Sequence, residues 1–177
     1  MVNGPGRPIR AGNGDADWAV TALFREHHLE LVRLALVMVG DLSTAEDVVQ
    51  DAFERLHRRW HRLRDPGSGL AYARSAVLNG CRTVHRRSAV ARKHGPRLAG
   101  SSAAGPDTET ALDDRSEMLM ALRGLPRRQR EVLVLRYYSD LDVAEVAATL
   151  QISPGAVRST SSRALAALPA GLGRTQQ

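Results

Sequence analysis

The chain has 177 residues, a net charge of +6 and a sequence pI of about 10.6. Its single cysteine, Cys81, excludes an internal disulfide framework and fits a reducing compartment. The longest apolar run, residues 34–39, is too short to span a bilayer, and the first residues lack a signal-peptide core, so we expect a cytoplasmic protein without membrane insertion.

Charge is segregated along the first half of the chain. Residues 41–54 contain five acids and no Lys or Arg, whereas residues 55–93 contain eleven Arg or Lys and one acid. A basic protein usually binds a polyanion, and adjacent patches of opposite sign predict two different partners.

The N-terminal part predicts a tail followed by a helix. Residues 1–16 are rich in Gly, Pro and Asn and are predicted to be disordered. A helix is predicted from about Asp17 to Val39, with Gly40 as its left-handed stop. Its apolar positions recur at helical spacing: Val20, Phe24, Leu31, Ala35 and Met38.

Two further helices are predicted on either side of the breaker at residues 65–69. The first begins at Ser43, which forms a capping-box pattern with Glu46. The next runs from about Leu70 into the low nineties, where Gly80 lowers helix stability by about 1 kcal/mol unless close packing requires it. Its polar face carries Ser75, Asn79, Arg82 and Arg86.

The remaining chain predicts a second helical domain. Residues 95–114 lack periodicity and read as a linker, residues 115–168 are helical, and residues 169–177 are expected to be loose. The predicted fold class is therefore all-α, with two small helical domains, residues 17–94 and 115–168, joined by a flexible linker.

Residues 142–163 predict a helix-turn-helix. Ser153 and Pro154 are a cap and a first-turn proline, and Gln151 stands in the turn where glycine is usual. Apolar residues anchor the two helices: Val143, Val146, Ala147 and Leu150 in the first, and Val157, Ala164, Leu165 and Leu168 in the second.

One face of the second of these helices is predicted to contact DNA. Small residues let a helix settle in the major groove, Arg158 reaches a guanine edge or a phosphate, and Arg163 is placed for the phosphate backbone. The other predicted contacts are Pro154, Gly155, Ser159 and Ser162. On periodicity alone, a plain helical hairpin in a core is an equal alternative.

The motifs resemble those of sigma factors. Residues 125–138 resemble the start of sigma region 4, and residues 143–147 and 155–159 are similar to its helix-turn-helix. Residues 41–53 resemble the polymerase-binding part of region 2. The resemblance is closest to the ECF group, and within it to the sigma-E-like factors of actinobacteria.

This resemblance implies binding to core RNA polymerase and promoter-specific initiation, with recognition of the −10 and −35 elements and promoter melting. It implies contacts with the β′ clamp helices and the β flap, the former through Asp47, Gln50, Asp51 and Glu54. It also implies −10 contacts by Tyr72, Asn79, Arg82, Arg86 and Arg87. Tyr72 stands where the family usually has Trp, and Thr83 where it commonly has Asp, which leaves the −10 base preference open.

Three alternatives differ in class. A stand-alone helix-turn-helix regulator would bind duplex DNA without polymerase, and an anti-sigma or adaptor protein would need no DNA-reading surface. An enzyme lacks a candidate site, so we expect no catalysis and no cofactor. His57 and His61 have a spacing that metals use, but exposed polar residues are the preferred interpretation, and Cys81 is expected in the core. The free chain is expected to be a monomer, with any anti-sigma factor acting in trans.

Overall fold

The computed structural model describes residues 13–63, 65–94 and 113–169, and every element within these ranges is helical. The N-terminal module, as we call residues 13–94, contains three long helices: α1 (Asn13–Val39), α2 (Leu42–Arg59) and α3 (Gly69–His94). Two single 3₁₀ turns, Trp60–Arg62 and Pro66–Ser68, join α2 to α3. None of the helices in the described ranges has the length and apolar content needed to cross a bilayer.

The C-terminal module, residues 113–169, contains four shorter helices and a π-helical segment. These elements are α4 (Asp113–Gly124), α5 (Arg127–Leu133), the π segment (Val134–Tyr138), α6 (Val143–Leu150) and α7 (Pro154–Ala167). Within the predicted linker, residues 95–112 lie outside the described residues, and residues 113–114 already belong to α4. Residues 1–12 and 170–177 of the predicted tails also lie outside them.

The N-terminal module is held by close helix packing. Leu31, Leu34, Met38, Leu56 and Val77 are fully buried, or nearly so, where α1, α2 and α3 meet. Burying a side chain of this size contributes about 1.5–3 kcal/mol relative to leaving it exposed. The packing therefore fixes the faces that α2 and α3 present to solvent.

Glycines mark two tight points of this module. Gly40 has a φ of +89° and donates its N–H to the Leu36 carbonyl at 2.8 Å, as a glycine that ends a helix does. A Cβ on Gly80 would lie 2.8 Å from the Val48 Cγ1 atom of α2. Close packing of α3 on α2 therefore requires Gly80.

The two modules pack against each other. Buried residues of both belong to one contiguous apolar cluster, and α3 contacts α6 while α1 contacts α4 and α5. Sequence reasoning predicted two domains and a linker, and it did not predict this shared interface.

Several local predictions were wrong. The cap of α2 is Asp41, whose carboxylate accepts the Thr44 N–H at 2.9 Å, rather than Ser43. Helix α1 begins at Asn13, four residues before the predicted start. Leu165, predicted as an anchor of α7, is 46% exposed, whereas Val157 and Ala164 are buried as expected.

Candidate DNA-binding and polymerase-binding surfaces

The turn between α6 and α7 has the geometry of a helix-turn-helix. Asp142 and Glu145 form a reciprocal capping box at the start of α6. Gln151 adopts the left-handed conformation, with φ 55° and ψ 50°, at the position where glycine is usual. Ser153 then caps α7 by accepting the Ala156 N–H at 3.1 Å, and Pro154 is the first helical residue. The short turn fixes α7 against α6.

One face of α7 is open to solvent. All six residues predicted to contact the −35 element are exposed: Pro154, Gly155, Arg158, Ser159, Ser162 and Arg163. The Arg163 Nε donates to the Ser159 carbonyl at 3.1 Å, which orients its guanidinium along the helix. Arg158 forms no hydrogen bond or ion pair with any described residue, so its five donors remain available for a ligand.

The predicted −10 residues on α3 are divided between two environments. Asn79, Arg86 and Arg87 are exposed, and the Asn79 Oδ1 accepts from Arg82 at 2.9 Å. Tyr72 is half-buried in a cleft of about 540 Å³ between the modules, which Leu141 of the C-terminal module also lines. The structure therefore brings part of the predicted −10 surface against the second module.

Arg82 forms a bidentate ion pair with Glu131 across the module interface. Its Nε and Nη2 atoms donate to the two carboxylate oxygens of Glu131, each at 2.9 Å. Arg128 donates to the same carboxylate at 3.0 Å, and the Nε of Arg127 lies 3.5 Å from it. We call these four side chains, Arg82, Arg127, Arg128 and Glu131, the Glu131 cluster. The cluster was not predicted from the sequence, because Arg82 was interpreted as a DNA contact and the other three residues as part of the region 4 motif.

The Glu131 carboxylate is fully buried and ionised. Burial is the largest single influence and raises its pKa, but hydrogen bonds from Arg82 and Arg128, with the charges of Arg82 and Arg127, outweigh it. The net result is a lowered pKa for Glu131, while the hydrogen bond to Glu131 raises the pKa of Arg82. Both groups are thus held in their charged forms.

A second set of contacts joins the modules at the end of α1. The Arg130 Nη1 donates to the carbonyls of Met38 at 3.1 Å and Val37 at 3.4 Å, and Arg123 donates to the Leu36 carbonyl at 3.4 Å. The last carbonyls of a helix lack intrahelical partners and carry partial negative charge. Two guanidinium groups from the C-terminal module therefore satisfy the end of α1. Burial lowers the pKa of Arg130, with a further contribution from the charge of Arg123.

The acidic face of α2 points to solvent. All four predicted polymerase contacts, Asp47, Gln50, Asp51 and Glu54, are exposed. Among the described residues, Asp51 and Glu54 pair only with Arg55 and Arg58 one turn along the helix, at 3.3 and 3.5 Å. Because exposed ion pairs of this kind are weak, the carboxylates of this face remain available to a partner.

An apolar groove of about 320 Å³ adjoins this face. It is lined by Val20, Phe24, Phe53 and the edge of Glu54, and the two phenyl rings meet edge to face at 5.0 Å. Phe24 was predicted as part of the α1 core stripe, and it is 39% exposed. The acidic face of α2 is therefore bordered by an apolar groove.

The remaining candidates have structural roles. His57 pairs with Asp17 of α1, and the described ranges contain no group of three or more metal-ligating side chains. Cys81 is fully buried, as expected, and burial raises the pKa of its thiol to about 12.

Comparison with known proteins identifies both modules. Residues 23–90 match the family described as Sigma-70 region 2, and residues 115–168 match the one described as Sigma-70, region 4. The RNA polymerase sigma-E factor of Streptomyces coelicolor is 34% identical over 138 residues, covering 78% of this chain and 77% of that protein. The chain belongs to the sigma-70 family. This sigma factor is also 34% identical to the ECF RNA polymerase sigma factor SigL of Mycobacterium tuberculosis over 157 residues, covering 83% of this chain and 85% of that protein.

Two solved structures share the fold of this sigma factor. RpoE in complex with the anti-sigma factor NepR from Bartonella quintana has a TM-score of 0.66 at 22% identity, covering 87% of this chain and 91% of that one. CnrH in complex with the cytosolic domain of CnrY has a TM-score of 0.64 at 23% identity, covering 89% and 94%. The predicted family and all-helical fold are confirmed, whereas the individual site residues stay predictions.

Proposed function

We propose that this ECF sigma factor binds core RNA polymerase through α2 and directs initiation at promoters whose −10 and −35 elements contact α3 and α7. The observation that carries this proposal is the open face of α7, where Arg158, which pairs with no residue in the described ranges, stands among small residues on a helix-turn-helix. That face fits the major groove, which admits a helix and displays a distinct pattern for each base pair.

The two arginines of α7 make different kinds of contact with the −35 element. Arg158 has no partner among the described residues and can form two hydrogen bonds to a guanine edge. Arg163 is oriented by the Ser159 carbonyl and contacts the phosphate backbone, which sets register rather than sequence. Phosphate contacts and base contacts thus come from neighbouring turns of one helix.

The basic face of α3 serves the −10 region. Arg86 and Arg87 are exposed and bind phosphates, while Asn79 offers an amide for an unpaired base. Tyr72 and Arg82 complete this surface once the C-terminal module moves away from α3. Joining two weak binding modules in one chain raises the overall affinity through effective concentration.

The acidic face of α2 serves the polymerase. Exposed ion pairs one helical turn apart contribute only about 0.3–0.5 kcal/mol, so Asp51 and Glu54 can exchange Arg55 and Arg58 for basic residues on the β′ clamp helices. The apolar groove beside Glu54 accepts a nonpolar side chain of the same partner. The β flap is the proposed polymerase contact of the C-terminal module.

Run-off transcription with sigma-free core polymerase tests the proposal. The chain is expected to confer initiation at a discrete start site, and mapping that site identifies the promoter. A variant with Asp51→Asn and Glu54→Gln is expected to lose core binding in a pull-down, because it removes both exposed carboxylates while preserving side-chain shape. Asp140→Asn removes an exposed acid of the C-terminal module and serves as the matched control. Absence of any initiation by the wild-type chain overturns the proposal.

A further inference from the structure

We propose that Arg128 positions helix α7 for recognition of the −35 element. Its guanidinium is held by the buried Glu131 carboxylate and binds the Leu150 carbonyl at the end of α6, so it fixes the turn from which α7 departs. This role rests on the proposed function, in which α7 reads the −35 element. Arg128 is therefore a positioning residue, which acts on DNA through another helix.

The anchor of Arg128 is rigid. Its Nη1 donates to the Glu131 Oε2 at 3.0 Å, and Glu131 is fully buried on the same helix α5. The Nη2 of the same guanidinium donates to the Leu150 carbonyl at 3.2 Å. Two hydrogen bonds from a planar fork fix both the position and the plane of the group. All three residues belong to the C-terminal module, so this link does not require Arg82.

The end of α6 leaves a carbonyl for Arg128 to bind. The last four carbonyls of a helix lack intrahelical partners and carry partial negative charge. The N–H groups of Gln151 and Ile152 donate to carbonyls of the preceding turn, whereas the Leu150 carbonyl accepts from Arg128. Arg128 thus caps α6 from a neighbouring helix and brings a positive charge to its negative end.

The turn after Leu150 needs this support, because its left-handed residue is not glycine. Gln151 has a φ of 55°, a conformation that is unfavourable for an L-residue with a Cβ. Such residues persist only where the surrounding structure strongly determines them. The Leu150 carbonyl lies in the same peptide plane as the Gln151 N–H, so Arg128 holds one side of the strained residue.

Holding the end of α6 also fixes the approach of α7 to DNA. Helices α5 and α6 both pack on α7, and Arg128 adds the third connection, between α5 and the end of α6. Arg158 lies one turn into α7, close to the supported turn. A bidentate contact with a guanine edge needs both donors at hydrogen-bonding distance, whereas attraction to a phosphate falls off gradually. A loosened turn is therefore expected to cost base discrimination before it costs general DNA affinity.

Arg128→Lys in the full-length chain tests this role. Lysine keeps a positive charge beside Glu131 but lacks the planar fork that reaches two acceptors. With core polymerase present, we measure the ratio of affinities for two promoter fragments that share the −10 element of the mapped promoter and differ only in the −35 element. The ratio is expected to fall at least about fivefold, the lower range for one bidentate base contact.

Arg127→Lys is the matched control. Within the described ranges its only ion pair is with Glu131, at 3.5 Å, and it lies beside Arg128 on α5. The ratio is expected to stay within about twofold of the wild type, as for a surface substitution. An equal fall in both variants would mean that charge beside Glu131, rather than the bond to Leu150, sets the discrimination, and would overturn the positioning role.

Salt dependence separates positioning from a direct contact with DNA. Because 39% of the Arg128 side chain is accessible, a phosphate contact is the rival explanation. Arg128→Gln removes the charge, so loss of a phosphate contact would weaken binding equally at both fragments and lower the salt slope by about one. Positioning predicts a lower ratio with an unchanged slope. Equal weakening with the lower slope overturns it.

Glu131→Gln in the Arg128→Lys background tests the anchor. No further fall of the ratio is expected, because Glu131 acts on α7 through Arg128, and a further fall beyond about twofold would contradict this. Circular dichroism checks the helix content of each variant. If Arg128→Lys loses helix, the ratio measured for Arg128→Gln decides instead.

Arg158→Ala, measured in the same assay, reports on the proposed function itself. An unchanged ratio for Arg158→Ala, or a wild-type chain that does not initiate in run-off transcription, counts against reading of the −35 element by α7. A lower ratio for Arg158→Ala with an unchanged ratio for Arg128→Lys overturns the positioning role alone.

Discussion

At the scale of single residues, Gln151 sets the geometry of the DNA-binding turn against its own conformational preference. Its φ of 55° lies in the left-handed region. That conformation costs an L-residue other than glycine roughly 1–2 kcal/mol, because its Cβ lies too close to the backbone. The surrounding turn holds it there, since the Ile152 N–H reaches the Ala147 carbonyl at 3.0 Å and Ile152 packs into the core. The turn therefore stores a small strain that glycine would relieve.

Gln151→Gly is expected to raise the free energy of unfolding by about 1 kcal/mol, because relief of the left-handed strain exceeds the added entropy of the unfolded glycine. Urea denaturation measures the change. Gln151→Ala keeps the Cβ and is expected to leave stability within about 0.5 kcal/mol of the wild type. A glycine variant no more stable than the alanine variant would show that the turn is unstrained.

Arg158 and Arg86 are expected to differ in the kind of DNA affinity they supply. Arg158→Ala should cost about 1–3 kcal/mol at the native −35 sequence and relax discrimination at one base pair. Arg86→Ala should weaken binding uniformly across sequences and reduce the salt dependence by about one phosphate contact. Competition binding of the polymerase complex to promoter variants at several salt concentrations measures both. Uniform loss for Arg158→Ala would contradict the base-reading role.

At the scale of elements, the crossing of α2 and α3 depends on the missing side chain of Gly80. The Val48 Cγ1 atom occupies the space that a Cβ would need, and valine in a helix has one strongly preferred rotamer. Val48 therefore cannot change rotamer to make room, and a residue larger than glycine at position 80 forces α2 and α3 apart.

Gly80→Ala is expected to destabilise the protein by about 1–2 kcal/mol, because overpacking of about 1–3 kcal/mol outweighs the helix propensity gained. Val48→Ala removes the clashing methyl groups and by itself lowers stability, because it deletes buried apolar atoms. The double variant should be more stable than the sum of the two single effects predicts, giving a positive coupling in thermal or urea unfolding. If the effects of the two single variants are additive, Val48 is not the residue that clashes with a side chain at position 80.

Helical periodicity predicted the order of the main helices, because burial of one apolar face is a strong local signal. Helix starts were predicted less well. Asp41 and Thr44 form one plausible cap and Ser43 and Glu46 another, and the sequence alone does not rank two overlapping caps. The helix-turn-helix could be predicted because the Ser153–Pro154 start of α7 combines two local signals at one position.

At the scale of the whole molecule, the contact between modules could not be predicted from the sequence. Arg82 and Glu131 lie 49 residues apart, and each had a sufficient explanation within its own segment: a basic DNA-facing helix and a family motif. Pattern reasoning assigns exposed charges to solvent or to a ligand. Only the packed structure shows that one module supplies the counter-charge for the other, which is why the site residues on α3 are divided between solvent and interface.

The Glu131 cluster also predicts how stability depends on pH. Because the pKa of Glu131 is lowered in the folded chain, its contribution is fully present at neutral pH and is lost as the pH falls below the ordinary glutamate range, through the lowered value. The titratable neighbours do not obscure this, since arginine stays charged and burial keeps the Cys81 thiol protonated.

Glu131→Gln is therefore expected to lower the free energy of unfolding by about 2 kcal/mol at neutral pH, the usual range for losing hydrogen bonds to a charged group. The gap between wild type and variant should narrow as the pH falls from about 7 to about 3, because the wild-type carboxyl then takes up a proton and loses the charge that the arginines bind. Urea unfolding of both proteins along this series measures the gap. Glu30→Gln provides the comparison for a partly exposed pair within one module, where the gap at neutral pH should be smaller. A gap for Glu131→Gln that stays constant across the series would contradict the lowered pKa of Glu131, because a stabilising charge must be lost when the carboxyl takes up a proton.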